Sequence, residues 1–470
     1  MIYNCQNGER SHQKMRKQIH DQLPLMDTQI DHPRAREYEG ISRILDANPI
    51  ISEMVLQDLT GGVSKRQTGA EGMTADQVLR AAIVKQIEGF SYDDLAFHII
   101  DSRCYRTFCR IGMTDKGFKK SALNSNIKAL SAETWEAINR ILAAWGQDQG
   151  IERGREVRID CTVTGSNIHE PSDSSLLWDG VRVLSRMLSQ AKEIFGDLSF
   201  PFTDHRRTAK RRMLGVMNAK TDKVRQEQYD DLLEVARKSV GYVRGALPLL
   251  EQYRCSSVQQ ALLAQGLAEG LSHYMQLTLR VIHQTERRVV HGESVPASEK
   301  LVSIFEPHTD IIVKDRRDIL YGRKVCLVSG ASNLITDCLI VDGNPADATL
   351  TDQMLDRQEQ VYGRYPLKVA LDGGFASKDN FESAKTKGIK DVCFAKGRGL
   401  EVAEMCRSTY VYTRLRRFRA GVESGISWLK RCFGFARCTW KSLASFKSYV
   451  WASIVSANLL TLARRAKSTS

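Results

Sequence analysis

The sequence predicts an α/β protein in which a mixed sheet with flanking helices is preceded by a helical region and interrupted by a large all-helical insertion. Apolar residues recur at helical spacing from Thr74 onwards and at a period of two from Val157. Short strand-like runs then alternate with turns and a helix between 324 and 395, whereas the stretch between the two strand regions is mostly of helical periodicity. A chain of 470 residues has room for two or three folding units with substantial cores.

The N-terminal part of the chain is interpreted as a leader followed by a helical region. Residues 1–60 are a basic, polar leader that ends in a short amphipathic segment, and no role is assigned to them. Residues 61–150 contain consecutive short helices, which suits a helix-turn-helix-like DNA-binding region with Lys119 and Lys120 as DNA contacts. A small helical bundle with lysines on its solvent face has the same pattern, so both interpretations stay open.

The predicted catalytic domain is assembled from two segments, residues 151–172 and 308–466. Its strands are predicted at 157–163, 324–328, 334–341, 367–371 and 392–395. Residues 173–307 are a predicted helical insertion that packs as its own lobe. The basic run at 205–212 within it is either a solvated helix face or a phosphate contact.

The composition indicates a basic protein of a reducing compartment. The chain has 68 Lys and Arg against 55 Asp and Glu, and the net charge of +13 favours a polyanionic partner without requiring one. The 11 cysteines are scattered, with neither a C-x-x-C pair nor zinc-ligand spacing, so we expect no structural zinc. The longest apolar stretch, 449–463, is short and interrupted by polar residues, and we therefore expect a cytoplasmic protein without a membrane span.

The candidate catalytic residues are three carboxylates, Asp160, Asp372 and Glu423. The sequence has no P-loop, no dinucleotide-binding glycine motif, no zinc-protease motif and no serine-hydrolase elbow. Asp160 lies within a predicted strand, and Asp372 follows another strand directly before two glycines, where simple turn chemistry is the alternative. Glu423 shares a helix face with Arg419 and Lys430, a pattern that an exposed ion pair would also explain.

The segments around the three carboxylates resemble a known family. They read D-C-T-V-T-G-S-N-I-H-E-P from Asp160, A-L-D-G-G-F around Asp372 and R-F-R-A-G-V-E-S-G-I-S-W-L-K around Glu423. Together they resemble the DDE transposases of bacterial insertion sequences, closest to the ISNCY type. The resemblance extends to E-P-H-T-D from Glu306 and to G-N-P-x-D from Gly343.

The family signature Y-x2-R-x3-E-x6-K is matched at Arg419, Glu423 and Lys430, whereas Arg416 stands at the position of its tyrosine. The resemblance implies an RNase H-like domain in which the three carboxylates hold two Mg²⁺ (or Mn²⁺) ions. Arg416, Arg419 and Lys430 would then contact DNA phosphates. Oxygen-only ligands do select such ions, and two of them about 4 Å apart can promote in-line displacement at phosphorus.

The function implied by the resemblance is that of a DNA transposase. Such a protein binds the terminal inverted repeats of its element and target DNA, and it cleaves and transfers DNA strands. It is expected to act as a homodimer or higher oligomer on DNA, in the bacterial cytoplasm and in association with the nucleoid. Two alternatives are a related nuclease that cuts without strand transfer and a catalytically inactive, domesticated DNA-binding regulator.

Overall fold

The structure is a computed structural model that describes residue 18 and residues 30–61, 72–112, 114–254, 256–314 and 318–466. It contains two compact units. The first takes the described residues up to Gly165 and those from Arg323 onwards, and the second is Ser166–Gly322. Within the described residues, no helix combines the length and the apolar character needed to cross a membrane.

The first unit begins with helices. They are α1 (Pro33–Asp46), α2 (Ile50–Thr60), α3 (Ala75–Glu88), α4 (Tyr92–Asp101), α5 (Arg103–Phe108), α6 (Lys120–Lys128) and α7 (Ala132–Asp148). Thr74 caps α3 as predicted, because its side chain accepts the amide hydrogen of Gln77 and the Gln77 side chain accepts that of Thr74. Gly89 ends the same helix in the left-handed conformation, at φ +70°.

The strands of the chain follow in the order expected from the sequence, with one addition. They are β1 (Glu156–Gly165), β2 (Asp310–Lys314), β3 (Asp318–Gly330), β4 (Ile335–Ile340), β5 (Lys368–Leu371) and β6 (Asp391–Phe394). In the first unit the sheet order is β4–β3–β1–β5–β6, with β1, β5 and β6 parallel and β3 antiparallel to β4. This mixed sheet is consistent with the predicted RNase H-like domain.

The second unit is mainly helical. It contains α8 (Asp173–Ile194), α9 (Arg206–Met217), α10 (Asp222–Glu251) and α11 (Val258–Thr285), which share one apolar core. Its only described strands are β2 and the first part of β3, which pair antiparallel. That pairing makes β3 begin at Asp318, before the predicted start of the strand at 324. In the basic run, Arg206 pairs with Asp204 and Arg212 with Asp231, so carboxylates already neutralise part of its charge.

Five further helices complete the first unit. They are α12 (Thr351–Tyr362), α13 (Lys378–Thr386), α14 (Val402–Met405), α15 (Thr409–Cys432) and α16 (Leu443–Ala466). Helix α16 is buried along most of its length, between the N-terminal helices and the sheet. Its polar interruption is part of this core: Asn458 donates to Asn139 and to the carbonyl of Ile335, each at 2.7 Å, and accepts from the amide of Ile335.

The N-terminal helices therefore share a core with the sheet. One apolar cluster includes Ile83 of α3, Trp135 of α7, Leu327 of β3 and Val455 of α16. The sequence predicted helices for this region correctly, but it did not indicate that they pack against the strands. The predicted domain boundaries at 60, 150, 172 and 307 stay a prediction.

Candidate active site

The sheet brings Asp160 and Asp372 to neighbouring positions. Strands β1 and β5 are parallel, and the last residues paired in their register are Ile159 and Leu371. Each aspartate follows its strand partner by one residue, so the two carboxylates leave equivalent positions of adjacent strands, which lie about 4.8 Å apart. Two residues separated by more than two hundred positions are thereby placed side by side.

Helix α15 adds Glu423 to the pair through Arg419. One guanidinium nitrogen of Arg419, Nη2, lies 3.4 Å from Asp160 Oδ2 and 3.0 Å from Asp372 Oδ1. The other terminal nitrogen, Nη1, lies 3.1 Å from Glu423 Oε1, which is the ion pair expected from their spacing on the helix. All three predicted carboxylates therefore meet at one cation.

The three carboxylates differ in their access to solvent. The side chain of Asp160 is only 14% exposed, whereas those of Asp372 and Glu423 are 42% and 66% exposed. Burial raises the pKa of Asp160 to about 6, against the lowering effects of Arg419 and of the Cys161 amide, which donates to it at 2.8 Å. The site thus has a buried inner carboxylate and an open outer side, through which a large substrate can approach.

A fourth carboxylate, Asp347, lies beside this group. Its Oδ1 accepts from the Lys324 ammonium at 2.9 Å, and its charge contributes to the raised pKa of Asp160. A Cβ built on Gly374 would lie 3.1 Å from Asp347 Oδ2, which places Asp347 against the two glycines that follow Asp372. The sequence did contain a signal for this residue, because it ends the G-N-P-x-D motif, but no role followed from the motif alone.

Arg158 fixes α15 against the sheet, and sequence reasoning missed it. It precedes Asp160 by two residues on β1, so the two side chains leave the strand on the same face. Its guanidinium is buried and donates to Ser329 Oγ at 2.9 Å and to the carbonyl of Phe418 on α15, also at 2.9 Å. A Cβ at Gly421 would lie 2.4 Å from Arg158 Nη1, so only glycine allows this close approach. The position of Glu423 therefore depends on Arg158.

The remaining predicted residues of α15 lie outside the shared contact. Helix α15 begins at Thr409, early enough to include Arg416, which is exposed and has its guanidinium 6.0 Å from the ring centroid of Tyr412. Lys430 is half-buried two turns after Glu423. The expectation that Cys432 is buried with the apolar side of the helix is wrong, because it is the last residue of α15 and lies on the exposed side.

The predicted DNA contacts of the N-terminal region lie elsewhere in the first unit. Lys119 is the N-cap residue of α6, and Lys120 is its first residue. Both are exposed, and Lys120 lies 3.5 Å from Asp93. They line a groove together with Lys85 and Lys128.

The side chains at the shared contact fit a divalent cation in chemistry but not in their present spacing. Carboxylate oxygens of two aspartates and a glutamate are donors that Mg²⁺ and Mn²⁺ prefer. No group of three or more described acids, histidines or cysteines has metal-binding geometry, because Arg419 occupies the space between the three carboxylates. Arg419 Nε is buried without a hydrogen-bond partner among the described residues. A cation at this position requires the guanidinium to withdraw.

Comparison with known proteins gives one match. Residues 314–459 are similar to the family described as the transposase DDE domain. The match supports a DDE transposase family for this chain. The matched residues include Asp372, Arg419 and Glu423, and they end within α16. No curated protein and no solved structure matches the chain. The family match supports a transposase that has DNA as its substrate.

Proposed function

We propose that this protein is a DNA transposase that binds the terminal inverted repeats of its insertion sequence and catalyses DNA strand cleavage and strand transfer. The observation that carries the proposal is the contact of Arg419 with Asp160, Asp372 and Glu423 at 3.0 to 3.4 Å. Three acids from two strands and a helix meet there, in a chain whose C-terminal part is similar to the transposase DDE domain. The origin in a bacterial element of the ISNCY type, and a cytoplasmic location, are part of the proposal.

In this proposal Asp160, Asp372 and Glu423 hold two Mg²⁺ or Mn²⁺ ions. When bound, such ions activate the attacking water or 3′-hydroxyl and stabilise the leaving oxygen at phosphorus. Asp160 is held in place by the Cys161 amide, and Glu423 by the anchoring of α15 through Arg158. The protein thereby fixes three acids before substrate arrives, which reduces the reorganisation needed during reaction.

The cations of α15 hold the DNA in this mechanism. Guanidinium groups bind carboxylates and phosphates with the same planar geometry, so Arg419 can exchange its three carboxylate contacts for a phosphate oxygen when the acids bind a cation. Arg416 and Lys430 lie on the same side of the helix as Glu423, since seven residues are nearly two turns. They would contact phosphates on either side of the reacting one. Because an insertion sequence has two ends, assembly of at least two copies on DNA belongs to the proposal.

The catalytic role of the three acids is tested by cleavage of DNA from the two flanks of the gene. The full-length protein is incubated with this duplex in Mg²⁺ or in EDTA. We expect strand cleavage in Mg²⁺, and its loss with retained DNA binding in Asp160→Asn, Asp372→Asn and Glu423→Gln. Asp379→Asn is the matched control, because Asp379 is an exposed carboxylate of α13 in the same unit. Cleavage at the wild-type rate by any of the three site variants would overturn the assignment.

A nuclease that cuts without strand transfer is the second candidate. The same three acids would serve it, since hydrolysis and transfer differ in the attacking oxygen and not in the ligands of the ions. Joining of a 3′-hydroxyl end to a second DNA separates the two functions. The convergence of the three acids disfavours the inactive regulator, which has no need of it.

A further inference from the structure

A groove in the first unit, distinct from the three acids, has the character of an anion-binding site. It has a volume of about 1110 Å³ and lies between α3, α4 and α6 on one side and the turn after α15 with the start of α16 on the other. We name it the lysine groove after its four lysines, which are Lys85, Lys119, Lys120 and Lys128. Arg437 adds a fifth cation, and no described carboxylate is among the residues that line it.

Lys85 is the most informative residue of the lysine groove. It is only 8% exposed, and within the described part of the chain its ammonium group has neither an ion pair nor a hydrogen bond. The ammonium lies 4.9 Å from the ring centroid of Tyr92, and that of Lys128 lies 5.9 Å from the same ring. A buried cation without a counterion is costly, and a second lysine nearby increases the cost. Burial, together with the charge of Lys128, lowers the pKa of Lys85 to about 8.

The backbone of α6 adds further donors to the groove. Lys119, the N-cap residue of this nine-residue helix, makes no side-chain cap hydrogen bond. The first amides of an α-helix have no partner within the helix, and they carry a partial positive charge. Lys119, Lys120 and Ser121 of this uncapped end line the groove. Helix amides and lysines in combination are typical of phosphate recognition.

We propose that the lysine groove binds the sugar-phosphate backbone of DNA, with Lys85 and Lys128 as phosphate contacts. The proposal rests on the proposed function, since it assigns a place to the DNA on which the three acids act. A groove of this volume, with cations along it, fits a stretch of backbone better than one small anion.

The location of the groove relative to the acids supports this assignment. Helix α15 carries Glu423 and ends at the residues Phe433 and Gly434, which line the groove. At a rise of 1.5 Å per residue, the ten residues from Glu423 to Phe433 span about 15 Å. Since DNA rises 3.4 Å per base pair, the groove lies about four base pairs from the reacting phosphate along this helix.

The test is a DNA-binding titration with the full-length protein in EDTA. The probe is a fluorescein-labelled 30-base-pair duplex from one flank of the gene, and anisotropy is measured between 50 and 300 mM NaCl. The variants are Lys85→Met, Lys128→Met, the double variant, and Lys128→Glu, which changes a partly exposed side chain and leaves the core intact. Lys390→Met is the matched control, because Lys390 is exposed beside the N-terminal end of β6, whereas Asp372 follows the C-terminal end of β5.

The expected result is a loss of salt dependence. Each lost phosphate contact makes the slope of log K against log salt shallower by about 0.9, and weakens binding roughly eightfold at 0.1 M salt. The double variant should lose about two contacts, Lys128→Glu at least one, and Lys390→Met none. A double variant with the slope and affinity of Lys390→Met, or a wild-type protein that does not bind the duplex, would overturn the proposal.

The binding test separates the groove from the proposed function. A wild-type protein that binds DNA through Lys85 and Lys128 but does not cleave it in Mg²⁺ contradicts the transposase and leaves the groove in place. Wild-type cleavage together with unchanged binding by the double variant contradicts the groove alone. Circular dichroism of each variant confirms that it is folded before its affinity is compared.

Discussion

Replacement of Asp160 by asparagine should stabilise the metal-free protein, and the gain should grow with pH. The wild-type carboxyl has a pKa of about 6 in the folded protein, against 3.8 for an ordinary aspartate, mainly because it is buried. The folded state therefore binds a proton more tightly than the unfolded state, so wild-type stability falls as pH rises from about 3.8 through about 6. Asparagine is almost the same size, can still accept from the Cys161 amide, and does not titrate.

The magnitude follows from the difference between the two pKa values. Ionisation of Asp160 in the folded protein costs about 3 kcal/mol of unfolding free energy at neutral pH, of which about 2 kcal/mol develops between pH 4.5 and 7.5. The side chain is 14% exposed, so solvent screens little of this cost. The weak contact with Arg419 at 3.4 Å is lost in the variant and reduces the gain at both pH values.

The assay is thermal unfolding in EDTA at pH 4.5, 6.0 and 7.5 for the wild type, Asp160→Asn and Asp379→Asn. We expect the difference in Tm between Asp160→Asn and the wild type to increase by about 4 °C from pH 4.5 to 7.5, at roughly 2 °C per kcal/mol for a unit of this size. Asp379→Asn removes the same charge from an exposed position, so it should show no such increase. An equal difference in Tm for Asp160→Asn at all three pH values would refute the buried, ionised carboxylate.

Three further changes test other parts of the account. Gly421→Ala places a methyl group 2.4 Å from Arg158 Nη1, so thermal unfolding should show a loss of about 1–3 kcal/mol, and cleavage should fall while DNA affinity is retained; an unchanged cleavage rate would show that Arg158 does not position α15. Asn458→Leu leaves the buried amide and carbonyl of Ile335 without their partner, and denaturant unfolding should show a loss of about 2–4 kcal/mol, whereas a loss below 1 kcal/mol would contradict this bridge. Arg416→Tyr restores the residue type of the family signature and should make the salt slope of DNA binding shallower by about 0.9, with cleavage of bound DNA preserved; an unchanged slope would show that Arg416 does not contact phosphate.

The local elements of the fold were predictable because they depend on nearby residues. Apolar spacing, the Thr74 cap and the turn between β3 and β4 predicted helices and strands that the structure confirms. The parallel pairing of β1 with β5 was not predictable in this way, since the partner strand lies more than two hundred residues away and no local pattern encodes its register. The resemblance to a family, and not the spacing of residues, indicated that Asp160 and Asp372 act together.

The candidate site shows the same division. The ion pair of Arg419 with Glu423 followed from their separation of four residues on a helix. The contacts of Arg419 with the two aspartates, and the approach of Asp347, depend on how α15 and the loop after β4 pack on the sheet. Lys85 is the clearest case, because its place in a helical pattern suggests a lysine at the edge of a buried face, whereas the packing of α16 and the turn after α15 buries it.

The most direct test of the account is joining of a cleaved element end to a second DNA. A duplex from the flank of the gene, with a free 3′-hydroxyl at the element terminus and a label on the joined strand, is incubated with supercoiled plasmid and the full-length protein in Mg²⁺. The account predicts label covalently attached to the plasmid with the wild type, none in EDTA, and none with Asp160→Asn, Asp372→Asn or Glu423→Gln. Plasmid cut by the wild type without attached label would contradict a transposase in favour of a nuclease, and joining by Asp160→Asn at the wild-type level would contradict the active site itself.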